Sequence, residues 1–144
     1  MKEVASVKKG SNAEPFVKFL LCDDQVLIMQ WKGFVNAELI KEAHEKVLVL
    51  IKDNRITGIV EDVVDFTGPF TEVNQWFITQ WVPAALKLGL KKAAVLMSAS
   101  IFTQLSVEML KENPEFKKLG LGYQVFGQME KASAWLTERN QVLA

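Results

Sequence analysis

One histidine, one cysteine and a short run of carboxylates are the side chains that could do chemistry in this chain. His44 is the only histidine among 144 residues and Cys22 the only cysteine. A zinc site needs about four donors, so this pair would require two carboxylates brought from elsewhere, and no metal is expected. Acid–base work needs a partner within hydrogen-bonding reach, and no second histidine stands at helical spacing from His44. It is therefore expected as an ordinary surface or boundary residue of a helix. Cys22 sits beside Asp23 and Asp24, whose charges raise a thiol's pKa and make it a poor nucleophile. Gly120-Leu121-Gly122 resembles the start of a glycine-rich phosphate loop, but it leads into a strand instead of following one. That order is wrong for a helix-dipole phosphate site and predicts a helix end and a tight turn. No cofactor is expected, and no catalytic residue.

Glu61, Asp62 and Asp65 fall near the carboxyl end of a strand that should be central, where open α/β sheets usually bind ligands. Asp62 and Asp65 can also simply accept hydrogen bonds from loop N–H groups and shape the turn. The loop from Asp65 to Pro69 opens a helix carrying Trp76, with Thr67 and Thr71 as the available hydroxyls. Asp62, Asp65, Thr67, Thr71 and Trp76 are thus the candidate contacts for a partner or ligand, because exposed loop backbone lies there beside an aromatic face.

The elements that would position them follow from apolar spacing. Phe16 to Leu21 and Gln25 to Lys32 read as a β-hairpin turning at Cys22-Asp23-Asp24. Asn36 is a good N-cap for a helix with Ile40, Ala43, Val47, Leu50 and Ile51 on one stripe, ending near Lys52. Ile56 to Val64 is rich in β-branched residues and reads as a strand. After the loop comes a helix from Phe70 to Gly89, then a buried strand from Ala93 to Met97. A helix over 101–111 is expected to point Phe102, Leu105, Met109 and Leu110 inward, and Asn113-Pro114 should end it. A strand from Tyr123 to Phe126 and a helix from Met129, with Ala132, Trp135 and Leu136 inward, complete the chain. The order β-β-α-β-α-β-α-β-α predicts an α/β fold with a mixed, mainly parallel sheet, crossover helices and an antiparallel N-terminal hairpin at its edge.

The helix from Phe70 to Gly89 is apolar around more than half its circumference. Val73, Phe77, Trp81, Ala84 and Leu88 make one stripe, while Ile78, Val82 and Leu86 make a second. One stripe can face the core; the other needs a different cover, so Ile78, Val82 and Leu86 are expected at a homodimer interface. Pro83 removes a helical hydrogen bond and should kink or split this helix.

Composition limits the rest. Seventeen basic residues balance seventeen acidic ones, so no net field draws the chain to nucleic acid or to an anionic membrane. The longest aliphatic run, Val47 to Ile51, is far too short to span a bilayer, and residues 1–14 contain no apolar stretch of signal-peptide type. The expectation is a cytoplasmic protein with no membrane insertion. Residues 1–14 are polar and expected to be poorly ordered, with 15–144 forming a single domain.

The strand end Trp31-Lys32-Gly33-Phe34-Val35, the segment from Gln75 to Leu96 and the closing aromatic strand with its tryptophan-bearing helix resemble the small bacterial STAS or SpoIIAA-like proteins, over roughly Phe16 to Leu136. The resemblance implies a SpoIIAA-like fold and a regulatory module acting through protein–protein association. It also places Asp62 where that family often closes the strand with an aspartate. Better-known members are switched by phosphorylation in an Asp-Ser-Ser-Gly loop; this chain has Asp65-Phe66-Thr67-Gly68-Pro69-Phe70-Thr71 there instead. The expected function is non-enzymatic binding, as a homodimer or with a protein partner. The alternative is a carrier or sensor of a small apolar ligand such as a lipid.

Overall fold

The computed structural model describes residues 1–9 and 13–138. Six strands lie in the order in which the chain makes them: β1 (Lys2–Lys8), β2 (Pro15–Cys22), β3 (Val26–Gly33), β4 (Gly58–Phe66), β5 (Lys92–Leu96) and β6 (Gly122–Phe126). The first three pair antiparallel, and β3 through β6 pair parallel. The α/β class and the mixed sheet match the expectation from sequence. The N-terminal segment does not. Residues 2–8 form an edge strand on β2, because Val4 and Val7 gain apolar neighbours there; residues 10–12 of that segment, and 139–144 of the domain, lie outside the described residues.

Parallel neighbours need crossovers, and each one packs on the same face. α1 (Ala37–Asn54) joins β3 to β4. A helix in three parts, α2 (Thr71–Trp76), a π-helical turn (Phe77–Trp81) and α3 (Val82–Lys87), joins β4 to β5. Then α4 (Ile101–Lys111) and α5 (Pro114–Lys118) join β5 to β6. Ile40, Val47, Val73, Trp81, Val107 and Phe116 from these helices share one core with Ile59, Val63, Ala93 and Val95 of the sheet. Among the described residues the opposite face carries only α6 (Met129–Leu136), whose Ala132 and Leu136 cover Ile28, Val60, Ala94 and Leu96. Gly58 permits that close fit, since a Cβ there would stand 3.1 Å from Leu136 Cδ2. The inward set expected for this last helix is what the structure has.

Local signals place the helix ends. The Asn36 side chain accepts from Leu39 N–H at 3.0 Å, a cap worth about 1 kcal/mol. Gly89, at φ 114°, closes α3 as expected: Leu90 N–H reaches back to Ala85 O and Gly89 N–H to Leu86 O, the paired bonds of a Schellman end.

Two apolar readings are corrected. Ile78 and Val82 are buried in the protein's own core and Leu86 packs against it, so the second stripe needs no partner to cover it. The π-helical turn is the reason: Val82 N–H bonds to Phe77 O, five residues back, and the extra residue rotates the helix so that Phe77, Ile78, Trp81, Val82 and Ala85 all face inward. The helix divides, as Pro83 suggested, but through a widened turn just before the proline. In α4, by contrast, Thr103, Ser106, Val107 and Leu110 face inward, while Ile101, Phe102, Leu105 and Met109 are 53–73% exposed. Hydrogen bonds decide that orientation. Thr103 Oγ1 donates to Gly68 O, Ser106 Oγ accepts from Phe70 N–H, and Asn74 Nδ2 donates to Ser106 O.

Candidate functional site

Glu61 stands in the middle of β4, between Ile59 and Val63 on the face covered by helices. A carboxylate there is costly unless it is paired. Its oxygens are both taken: Oε1 accepts from Trp31 Nε1 at 2.8 Å, and Oε2 lies 2.7 Å from His44 Nε2. The other ring nitrogen of His44, Nδ1, lies 2.8 Å from Ile40 O. A carbonyl can only accept, so Nδ1 carries a proton, and one further proton lies between Nε2 and the carboxylate. His44 is therefore not a surface residue. Its ring is almost wholly buried, stacked on Trp31 at 5.6 Å and met edge-on by Phe77 at 4.7 Å and Trp81 at 5.2 Å. Trp81 also donates its indole N–H to His44 O at 2.6 Å.

This group lines a half-open pocket of about 70 Å³, formed on the sheet side by Ile59, Val63, Ala93, Val95 and Tyr123 and on the helix side by Phe77, Val82, Val107, Leu110 and Phe116. The lining is nearly all apolar. Yet the Glu61 side chain keeps 18% of its surface accessible, so the cavity reaches the carboxylate. Tyr123 completes the polar set. Desolvation by the side chains packed around it, and then the charge of Glu61, push the phenol well above its ordinary range, so it stays a neutral donor.

The residues singled out from sequence do not assemble into one site. Asp62 points to the opposite face of β4, where its carboxylate accepts from Val64 N–H at 3.2 Å, the turn-shaping role. Burial, offset in part by that bond, raises its pKa, with Asp65 adding to the rise. Asp65 and Thr67 are exposed. Thr71 lines a separate hollow of about 110 Å³ with Phe34, Asn36 and Pro69. Trp76 is half-buried against Phe77, with Lys41 Nζ 6.0 Å from its ring centre. Cys22 has a raised pKa as expected, but burial is the main cause, the N-terminal amino group opposes it and Asp23 adds less.

The sequence reading places Glu61 near the ligand-binding end of its strand and His44 at a helix surface or boundary without pairing the two, though a signal for the pairing is present. His44 is four residues after Ile40 and three before Val47, on the apolar stripe itself. Glu61 alternates with Ile59 and Val63 on the core-facing side of its strand. A lone buried carboxylate and a lone buried histidine have to find each other.

Among the described residues no group of three or more His, Cys, Asp and Glu side chains is placed to hold a metal ion, and no helix is long and apolar enough to cross a membrane. No protein-family model matches the chain, and no curated protein matches it in sequence.

Proposed function

We propose that this protein is a non-enzymatic binding module whose half-open apolar pocket receives a small apolar ligand. The observation that carries this reading is the pocket itself: a half-open apolar hollow lined in part by a hydrogen-bonded carboxylate that keeps some accessible surface. Pockets that bind small molecules have this character, with mostly apolar walls and a few fixed polar groups. The His44–Glu61 pair supports binding better than catalysis, because both histidine nitrogens and both carboxylate oxygens are already occupied and no hydroxyl or thiol nucleophile lines the cavity apart from the phenol of Tyr123. A SpoIIAA-like assignment fits the N-terminal hairpin followed by parallel crossover units and belongs to the same proposal.

Native mass spectrometry of protein purified from its own host tests this. A co-purifying small mass, absent from Ala93→Leu, in which the added side chain fills the pocket, is the expected result. Bare protein in both, together with no response of the Trp31 and Trp81 indole resonances to dissolved xenon, would defeat the reading.

Association with a second copy or a protein partner is a second reading, and a different observation favours it. Ile101, Leu105 and Met109 recur at four-residue spacing on the outer surface of α4, with Phe102 beside them, an exposed apolar stripe of the kind that marks interaction surfaces. Sedimentation at micromolar concentration would show a dimer that Leu105→Glu dissociates.

A further inference from the structure

The pocket's polar groups restrict what it can hold, an inference that rests on the ligand-binding reading above. Among the described residues, His44 is its only side chain able to carry a positive charge and Glu61 its only acidic one; no lysine or arginine lines it. Wherever the proton between Nε2 and Oε2 sits, the pair carries no net charge, because one proton serves both groups and Nδ1 keeps its own for Ile40 O. A buried ligand anion would meet Glu61 and no free cation, and a ligand cation would have to compete with His44 for a carboxylate that is already neutralised. Either would lose its hydration without gaining a partner.

One polar group in the lining is not committed. The indole N–H groups of Trp31 and Trp81 donate to Glu61 and to His44 O. Tyr123, whose ring meets Phe116 edge-on at 5.1 Å, is the remaining one, and its hydroxyl makes no hydrogen bond to a described residue. Tyr123 is only partly buried and its hydroxyl is not sealed off, so water or a polar group of a ligand in the pocket can reach and pair with it. The cavity's size adds a further limit. At about 70 Å³ it is smaller than the ~150 Å³ engineered apolar cavity that takes up benzene, so the part of the ligand it encloses is short.

The geometry points to an uncharged ligand: a short apolar group ending in one hydroxyl or carbonyl that pairs with the Tyr123 hydroxyl, with carboxylates, phosphates and ammonium ions of the same skeleton excluded.

The test is a titration of the full chain with 1-butanol, butanoate and butylammonium, followed through the Trp31 and Trp81 indole N–H resonances. Butanol should bind at least about ten-fold more tightly than either ion, the discrimination expected when a charge is left unpaired. Tyr123→Phe should weaken butanol roughly two- to ten-fold, the worth of one neutral hydrogen bond, and leave xenon binding unchanged. Butanoate or butylammonium binding as well as butanol would overturn the inference while the pocket reading stood. A Tyr123→Phe protein that keeps full butanol affinity would remove the tyrosine from it. If that variant fails to fold, the three-probe ranking on the unaltered protein still decides. Should none of the three probes nor xenon move the indole resonances, the binding reading itself falls.

Discussion

Trp81 donates its indole N–H to the carbonyl of His44 at 2.6 Å and sets its ring perpendicular to the imidazole of the same residue at 5.2 Å. One tryptophan thus holds both the backbone and the side chain of the histidine that satisfies Glu61. The chain from Trp81 through His44 and Glu61 to Trp31 ties the π-helical turn, α1, β4 and β3 together.

Breaking that chain at one point should leave its neighbouring members buried and unpaired. Glu61→Ala leaves the Trp31 and His44 donors buried without an acceptor, and a loss of about 3 kcal/mol is expected, in the range for one partner of a buried pair. Glu61→Ala combined with His44→Ala should cost clearly less than the sum of the two single changes. Urea denaturation of the four proteins measures this, and strict additivity would show that the two side chains do not act as a unit.

The two apolar surfaces interpreted oppositely from sequence and structure make a paired test. Val82→Glu should unfold the protein, since it puts a charge into the core. Leu105→Glu, on the exposed stripe of α4, should change stability by no more than about 0.5 kcal/mol. Circular dichroism melts of both variants check the pair. A folded Val82→Glu protein would mean that the second stripe is a surface after all.

Asp62 gives a pH signature. Its folded-state pKa is raised above the ordinary 3.8, mainly by burial, so its ionisation opposes folding. The favourable contribution of the protonated form is fully present below about pH 3.8 and is lost as pH rises through the higher folded value. Asp62→Asn keeps an acceptor for Val64 N–H and should therefore melt higher than the parent at pH 7, with the difference vanishing in acid. A variant less stable at pH 7 would show that the carboxylate's charge is needed.

The Cys22 thiol, raised above its ordinary value of 9.0 chiefly by burial, should react with iodoacetamide several-fold more slowly than free cysteine at pH 7.5, because only the thiolate attacks. A rate equal to or above that of the free amino acid would contradict its surroundings here.

Much of the architecture was legible because apolar period reports it directly: strands β2 to β6, the caps at Asn36 and Gly89 and the inward set of α6 all followed from spacing. β1 was not, since Lys2, Glu3, Lys8 and Lys9 make the segment polar on average and only the pairing with β2 shows Val4 and Val7 to be useful. In α4 apolar volume alone predicts the wrong face, because hydrogen bonds orient the helix. Its largest apolar side chains point outward, and the hydroxyls of Thr103 and Ser106 satisfy the loop from Phe66 to Phe70. The candidate site was missed for a related reason. His44 and Glu61 look solitary in sequence, 17 residues apart, and only the crossover from β3 through α1 to β4 lays them side by side. A π-helical turn has no simple sequence period either, so the helix with two stripes read as having one too many.

The strand order 1-2-3-4-5-6 also bears on how the chain assembles during synthesis. Each strand pairs with the one made just before it, so no early strand waits for a late one to be inserted between its neighbours. The β1–β3 meander can form first, and each crossover unit then adds to an existing edge, in the domain-as-it-emerges manner open to a growing chain. Because β6 and α6 come last, Val60 and Ala94 lie bare on the far face until the final helix docks. Exposed apolar surface of this kind promotes aggregation of a partly folded chain.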